Sequence, residues 1–282
     1  MFLQKMKKSL LFLGALLLMI SCGEYQDVLK SEDTGLKYAT AERLYNEGIA
    51  EDSNSKLRKA LRLFEQIVPL YRGKPQGEKV SYLMADTYYH LGDDYLAGYQ
   101  FERFTQAYPN SEKVEEAAFK SAKSYYELSP RYDLDQTETY KAIEELQKYI
   151  DTYPEGEHLA EANELAKALR IKLEKKAYEI AKQYHHTGEY GIPGQNYKAA
   201  IVAFTNFLNE YPGSPFREAA YYYRFDSAYQ LAINSYEDLM EERLKTARGF
   251  YDEYQKYYPE GGIYYNQLQT SFEDLDTRLQ NF

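Results

Sequence analysis

Tryptophan is absent from the 282 residues, cysteine occurs once, at Cys22, and histidine four times. A lone cysteine excludes an intramolecular disulfide and the paired-cysteine zinc and redox motifs. His90 and His158 stand alone, and the neighbours His185 and His186 point to opposite sides of a helix, a poor arrangement for chelation. No Gly-rich phosphate loop or nucleophile elbow occurs. Acid pairs such as Asp93-Asp94 and Glu115-Glu116 read as solvated helix faces. The sequence therefore offers no catalytic residue, no metal site and no cofactor site. Basic residues are outnumbered, 34 against 44 acids, for a net charge of −10. Such a surface disfavours nucleic acid and offers anionic lipid no overall attraction. Beyond Cys22 there is no long apolar run, and no segment carries a strand signal.

The first residues are of another kind. Lys5, Lys7 and Lys8 precede a short apolar run from Ser9 to Ile20. It is too short for a hydrocarbon core that takes roughly 20 apolar residues to cross. Charge followed by a short apolar run reads as a secretory signal. Its end, Met19-Ile20-Ser21-Cys22, resembles a lipobox, in which a small residue fits the processing peptidase and the thiol receives a diacylglycerol. We expect a signal peptide over 1–21 and lipidation of Cys22. Two or more acyl chains, at ~0.8 kcal/mol per buried methylene, give lasting attachment without a membrane span. Loss of 1–21 removes three lysines and no acid, taking the net charge from −10 to −13. Gly23 rather than Asp follows the cysteine, which fits sorting to the outer membrane.

Tyrosine is plentiful, at 32 residues, and it falls in a repeat. A small residue is followed four later by an aromatic or Leu, then by an aromatic or Tyr-Pro end. The copies run Ala60–Phe64 to Tyr71, Ala97–Phe101 to Tyr108-Pro109, Ala142–Leu146 to Tyr153-Pro154, Ala200–Phe204 to Tyr211-Pro212 and Ala247–Tyr251 to Tyr258-Pro259. Alanine to proline is twelve residues in the last four. The i, i+4 spacing puts the small residue and the ring on one helix face, where a neighbouring helix approaches closely. Proline then ends the helix by excluding its predecessor from the α region, and Asn110-Ser111 or Gly213-Ser214 are placed to cap the next. A preceding phrase, Ala85-x-x-Tyr88-x-x-Leu91-Gly92, is echoed at Ala122, Tyr125 and Leu128 and at Ala181 and Tyr184.

Together the phrases make a helix–turn–helix unit of the tetratricopeptide kind. The expected fold is all-α, a superhelical solenoid of about five such repeats, each burying its neighbour's face. Uneven spacing puts extra residues in Ser129 to Thr139, in a long helix from about His158 to Tyr184, in the Gly188 to Asn196 loop and around Ile233 to Glu242. The domains expected are a lipidated flexible linker over 22–36, repeats one to three over 37–156, and repeats four and five with a capping helix over 157–282.

In such repeats the first helix lines the concave side. The fit puts Glu42, Tyr45, Ile49 and Asp52 there in unit one. Unit two adds Lys79, Tyr82, Asp86, Tyr89 and His90, and unit three adds Glu116, Phe119, Lys123 and Tyr126. The candidate peptide groove is Tyr45, Ile49, Lys79, Tyr82, Asp86, Tyr89, Phe119, Lys123 and Tyr126. Rings with scattered charge suit an extended peptide ending in an aromatic residue. Ordinary half-exposed helix surface is the other reading of the same positions.

With lipobox and repeat in place, the chain resembles the BamD family, lipoproteins of the outer-membrane β-barrel assembly machine. The resemblance rests on Tyr38-Ala39-Thr40-Ala41, on Arg103-Phe104 before Tyr108-Pro109, on the insertion Ser129-Pro130-Arg131-Tyr132-Asp133-Leu134-Asp135, and on the long helix into Tyr184. Departures are the larger insertions in units four and five and the wealth of tyrosine. The resemblance implies a non-catalytic scaffold, lipid-anchored on the periplasmic face of the outer membrane. Its C-terminal repeats would dock the periplasmic domains of a BamA-type barrel protein alongside other assembly lipoproteins. Its N-terminal groove would receive unfolded outer-membrane protein precursors, with Lys79 or Lys123 facing a terminal carboxylate. Alternatives are a periplasmic tetratricopeptide scaffold of another envelope machine and a carbohydrate-binding lipoprotein. The absence of tryptophan and the modest length weigh against the second.

Overall fold

A computed structural model describes residues 23–190, 192, 194–259 and 261–282. The expected signal peptide over 1–21 and the expected lipidation site, Cys22, lie outside the described residues. Every regular element among them is helical. Residues 23–30 are helical (α1), followed by α2 (Thr34–Ala50), α3 (Asn54–Tyr71), α4 (Gly77–His90), α5 (Asp94–Ala107), α6 (Val114–Glu127) and α7 (Thr137–Thr152). Then come α8 (Leu159–His186), α9 (Gln195–Glu210), α10 (Arg217–Ile233), α11 (Glu237–Tyr257) and α12 (Tyr265–Leu279). Successive helices pack on their neighbours, as in a tetratricopeptide-like helical solenoid. No helix of the described residues is long and apolar enough to cross a membrane.

The chain divides into two compact units. The first holds α1 to α7 and the start of α8 through Ala166, and the second holds Pro130–Gln136 and everything from Lys167 onward. The division therefore falls inside α8, where the sequence pattern suggests 156/157. In the first unit α2–α3, α4–α5 and α6–α7 are the helix pairs. In the second, the later part of α8 with α9 and α10 with α11 are the pairs, and α12 lies against α10 and α11.

The repeat phrase explains the packing. Ala60, Ala97, Ala142, Ala200 and Ala247 have no exposed surface, and the partners Phe64, Phe101, Leu146 and Phe204 are equally buried. A methyl group at the helix contact lets the backbones approach, and the ring four residues on fills the space beside it. The helix ends repeat too. Tyr108, Tyr211 and Tyr258 close α5, α9 and α11 with φ between −123 and −133° and ψ between 61 and 70°. Each precedes a proline, whose ring excludes the α region there.

Two local expectations are corrected. Ser111 and Ser214 do not cap α6 and α10. Each hydroxyl accepts from the amide two residues on, Lys113 at 3.0 Å and Phe216 at 3.2 Å, so the serine shapes the turn ahead of the helix. The stretch 22–36, expected as linker, is helical over 23–30, with Tyr25 and Val28 each 8% exposed in the first unit's core and the Tyr25 hydroxyl donating to the Lys59 carbonyl at 3.1 Å.

The insertion before α7 is held within the second unit. Gln136 donates to the carbonyls of Arg131 at 2.7 Å and Leu134 at 2.9 Å, and the Lys176 ammonium donates to the Leu134 carbonyl. Lys175 lies 4.3 Å over the Tyr132 ring. A loop cross-braced in this way needs no secondary structure of its own.

Candidate functional site

The first helices of the three N-terminal repeats, α2, α4 and α6, lie side by side, so the 3.6-residue period brings one stripe from each to a common face. On it Asp86 of α4 is 3% exposed. It accepts from the Tyr45 hydroxyl of α2, and the Lys120 ammonium of α6 bonds its other oxygen at 2.6 Å. His90, one turn along α4, faces it at 3.3 Å. Lys120 also pairs with Glu116 at 2.8 Å and reaches the Tyr82 hydroxyl at 3.3 Å.

Burial would raise the Asp86 carboxyl, yet the His90 hydrogen bond and the charge and hydrogen bond of Lys120 hold it at about 2. Glu116 is likewise held at about 2 against burial, by hydrogen bonds from Lys113, Lys120 and Tyr82. Burial opposes the Lys120 charge, and the Asp86 and Glu116 carboxylates outweigh it and raise its pKa. The Tyr45 and Tyr82 hydroxyls are pushed far up, first by burial and then by the acids they bond. Asp86, Glu116, Lys120, Tyr45 and Tyr82 thus form a satisfied network whose charges are fixed near neutrality.

Aromatic faces frame it. Tyr82 meets Phe101 and Phe104 edge-on at 5.8 and 5.5 Å, and Tyr89 meets Phe101 at 6.2 Å. The Lys120 ammonium lies 5.5 Å from the Tyr89 ring and 5.6 Å from that of Tyr82. Tyr82 and Tyr89 are both partly open to solvent.

Of the residues selected from sequence, Tyr45, Tyr82, Asp86 and Tyr89 come together, with His90 and Glu116. Ile49 stands at 39% exposed on the last turn of α2. Tyr126 is half-buried on α6. Phe119 is turned inward: it is 4% exposed, stacked on His158 at 4.2 Å and packed on Tyr149 at 5.5 Å. Lys79 and Lys123, considered for a terminal carboxylate, already hold Glu42 and Glu161. Lys120, the hub, was missed. Its signal was its place one turn beyond Glu116 on the same helix face.

The second unit carries a related position. Asp226 stands eight residues after Glu218, as Asp86 stands eight after Glu78. There the neighbour is His185, with Nε2 at 3.3 Å, and among the described residues no lysine pairs with it as Lys120 does with Asp86. Burial raises the Asp226 carboxyl and, with the charges of His186 and Lys182, lowers His185 to about 4. Among the described residues no group of three or more His, Cys, Asp or Glu is placed to hold a metal ion.

Comparison with known proteins gives two matches. The YfiO family, described as outer membrane lipoprotein, matches residues 37–193. A protein of Aquifex aeolicus (strain VF5), provisionally named outer membrane protein assembly factor BamD, is 30% identical over 212 residues. That alignment covers 72% of this chain and 64% of the relative, so the chain spans somewhat less than two thirds of its length. The family match runs from the first helix pair through α8, which is the helical framework that presents Tyr45, Asp86 and Lys120. The chain belongs to the YfiO family of outer membrane lipoproteins.

Proposed function

We propose that the chain is a non-catalytic scaffold of outer-membrane β-barrel assembly. Lipid on Cys22 anchors it to the outer membrane, with the helical body on the periplasmic face. The C-terminal repeats dock the periplasmic domains of a BamA-type barrel protein, in company with other assembly lipoproteins. The N-terminal groove receives unfolded outer-membrane protein precursors. The relative from Aquifex aeolicus bears an assembly-factor name, and the groove supplies the chemistry.

The observation that carries this reading is the aromatic face of α4. Tyr82 and Tyr89 are rigid amphipathic rings beside a fixed charge network, which suits an extended segment with an aromatic anchor. The lysines sort themselves by cost. Lys79 is 59% exposed in its pair with Glu42, and Lys123 is 30% exposed in its pair with Glu161. Pairs of that kind are worth ~0–1 kcal/mol, so a peptide carboxylate displaces Glu42 or Glu161 cheaply. Lys120, 18% exposed and holding two acids, is not available on those terms. Crosslinking of a precursor peptide ending in an aromatic residue tests this. Tyr82→Ala with Tyr89→Ala loses most of the crosslink while keeping its helical circular dichroism. Unchanged crosslinking contradicts the groove.

A further inference from the structure

On another face of α4, away from Asp86, the space between α3 and α5 forms a cavity of about 550 Å³. Its floor is apolar: Val68 of α3, Met84 and Tyr88 of α4, and Phe104 of α5. Two arginines line it, Arg72 at the end of α3 and Arg103 on α5, and both are exposed. Neither forms an ion pair with a carboxylate of the described residues. The acid in the lining, Glu65, is engaged by the Tyr88 hydroxyl at 2.7 Å. Arg103 lies with its guanidinium 5.6 Å over the Tyr99 ring.

In a chain with ten more acids than bases this is a marked contrast with the groove face, where Lys79, Lys120 and Lys123 all hold acids. Arg103 takes no part in the groove, and Phe104 backs the groove's Tyr82 ring with one edge. The Arg103-Phe104 pair supplies one guanidinium and one ring to the cavity. Guanidinium groups recognise carboxylates in a bidentate fork, and an apolar floor beside them gives a neighbouring apolar side chain a surface to cover.

We propose that this cavity docks an acidic segment of a partner protein. Two carboxylates of the segment meet Arg72 and Arg103, and an apolar side chain between them lies on Met84 and Phe104. The site is separate from the groove, so a precursor and this partner bind at once. The proposal stands or falls independently of the precursor reading.

The test places a photocrosslinking amino acid at Gln100, which also lines the cavity, in the full chain in its own envelope. The crosslinked segment is then mapped by mass spectrometry. The expected adduct is a segment with at least two acids beside an apolar residue. Arg72→Glu with Arg103→Glu lowers its yield about tenfold, the equivalent of a lost charge-assisted pair. Arg72→Gln with Arg103→Gln lowers it less, and Tyr89→Ala, whose ring meets Phe101 rather than the cavity lining, leaves it unchanged. Both arginines are surface residues, so circular dichroism of the variants stays that of the parent. Four results overturn the proposal: no adduct, an adduct without acids, an adduct with a second copy of this chain, or one undiminished in the glutamate variant.

Discussion

Glu115 of α6 accepts two hydrogen bonds on one oxygen, from the Tyr149 hydroxyl at 3.1 Å and from the Glu157 amide at 2.7 Å. It thereby ties α7 and the turn beyond it to the start of its own repeat. Glu218 does the same in the second unit, accepting from the Tyr254 hydroxyl at 2.8 Å and the Tyr264 amide at 3.3 Å. Tyr149 and Tyr254 are among the largest fully buried side chains. The turn needs glycine for this pair to fit. A Cβ at Gly156 would sit 2.6 Å from Glu115 and 2.8 Å from the Tyr149 hydroxyl, and one at Gly262 would sit 2.5 Å from the Tyr254 hydroxyl.

Gly156→Ala and Gly262→Ala therefore each cost about 1–3 kcal/mol, the range for forcing an extra methyl into a packed site. Gly213→Ala, with nothing within 4 Å, is the control and stays within about 0.5 kcal/mol of the parent. Urea unfolding of the three variants checks the contrast.

The Asp86–Lys120 pair predicts a non-additive cycle. Lys120→Met leaves the buried Asp86 without its lysine, takes from Glu116 one of its two lysines, and costs about 3 kcal/mol. Asp86→Asn added to it recovers part of that loss, because the buried charge has gone. Urea midpoints of the two single variants and the double variant measure the coupling.

Acid weakens the first unit. Asp86 and Glu116 are held at about 2, below their ordinary values of 3.8 and 4.5. The folded state thus binds those protons less readily than the unfolded chain. Their contribution is complete above the ordinary values and is lost as pH falls toward about 2. Thermal unfolding followed from pH 6 down to pH 2.5 shows the decline, and Asp86→Asn flattens it.

His185 titrates late. Burial, with the charges of His186 and Lys182, holds its pKa at about 4 against an ordinary 6.5. Nuclear magnetic resonance of the ring carbons gives a midpoint near 4, and His185 stays neutral throughout the physiological range.

The repeat was legible because its two signals are steric and local. A small residue with a ring four later, closed by Tyr-Pro, fixes both a helix face and a helix end, and Ala97, Phe101 and Tyr108 behave as their spacing requires. The long helix and the insertion before α7 follow from where that spacing stretches, and the last helix lies in the tail read as a cap. Side-chain partners were harder. Phe119 has the same helical phase as Tyr82, yet His158 and Tyr149 close over it, and nothing in the local pattern foretells that. Lys120 becomes a hub only because Asp86, 34 residues away, has no other lysine to meet. The helix over 23–30 escaped because its two core residues, Tyr25 and Val28, are too few to establish a period.

The central claim is that this chain serves barrel assembly. Affinity purification through a C-terminal tag from detergent-solubilised envelopes, with mass spectrometry of the co-purifying proteins, tests it most directly. The account predicts stoichiometric recovery of a large outer-membrane barrel protein with repeated periplasmic domains. Recovery of a division complex or a nutrient transporter, without such a barrel, contradicts it.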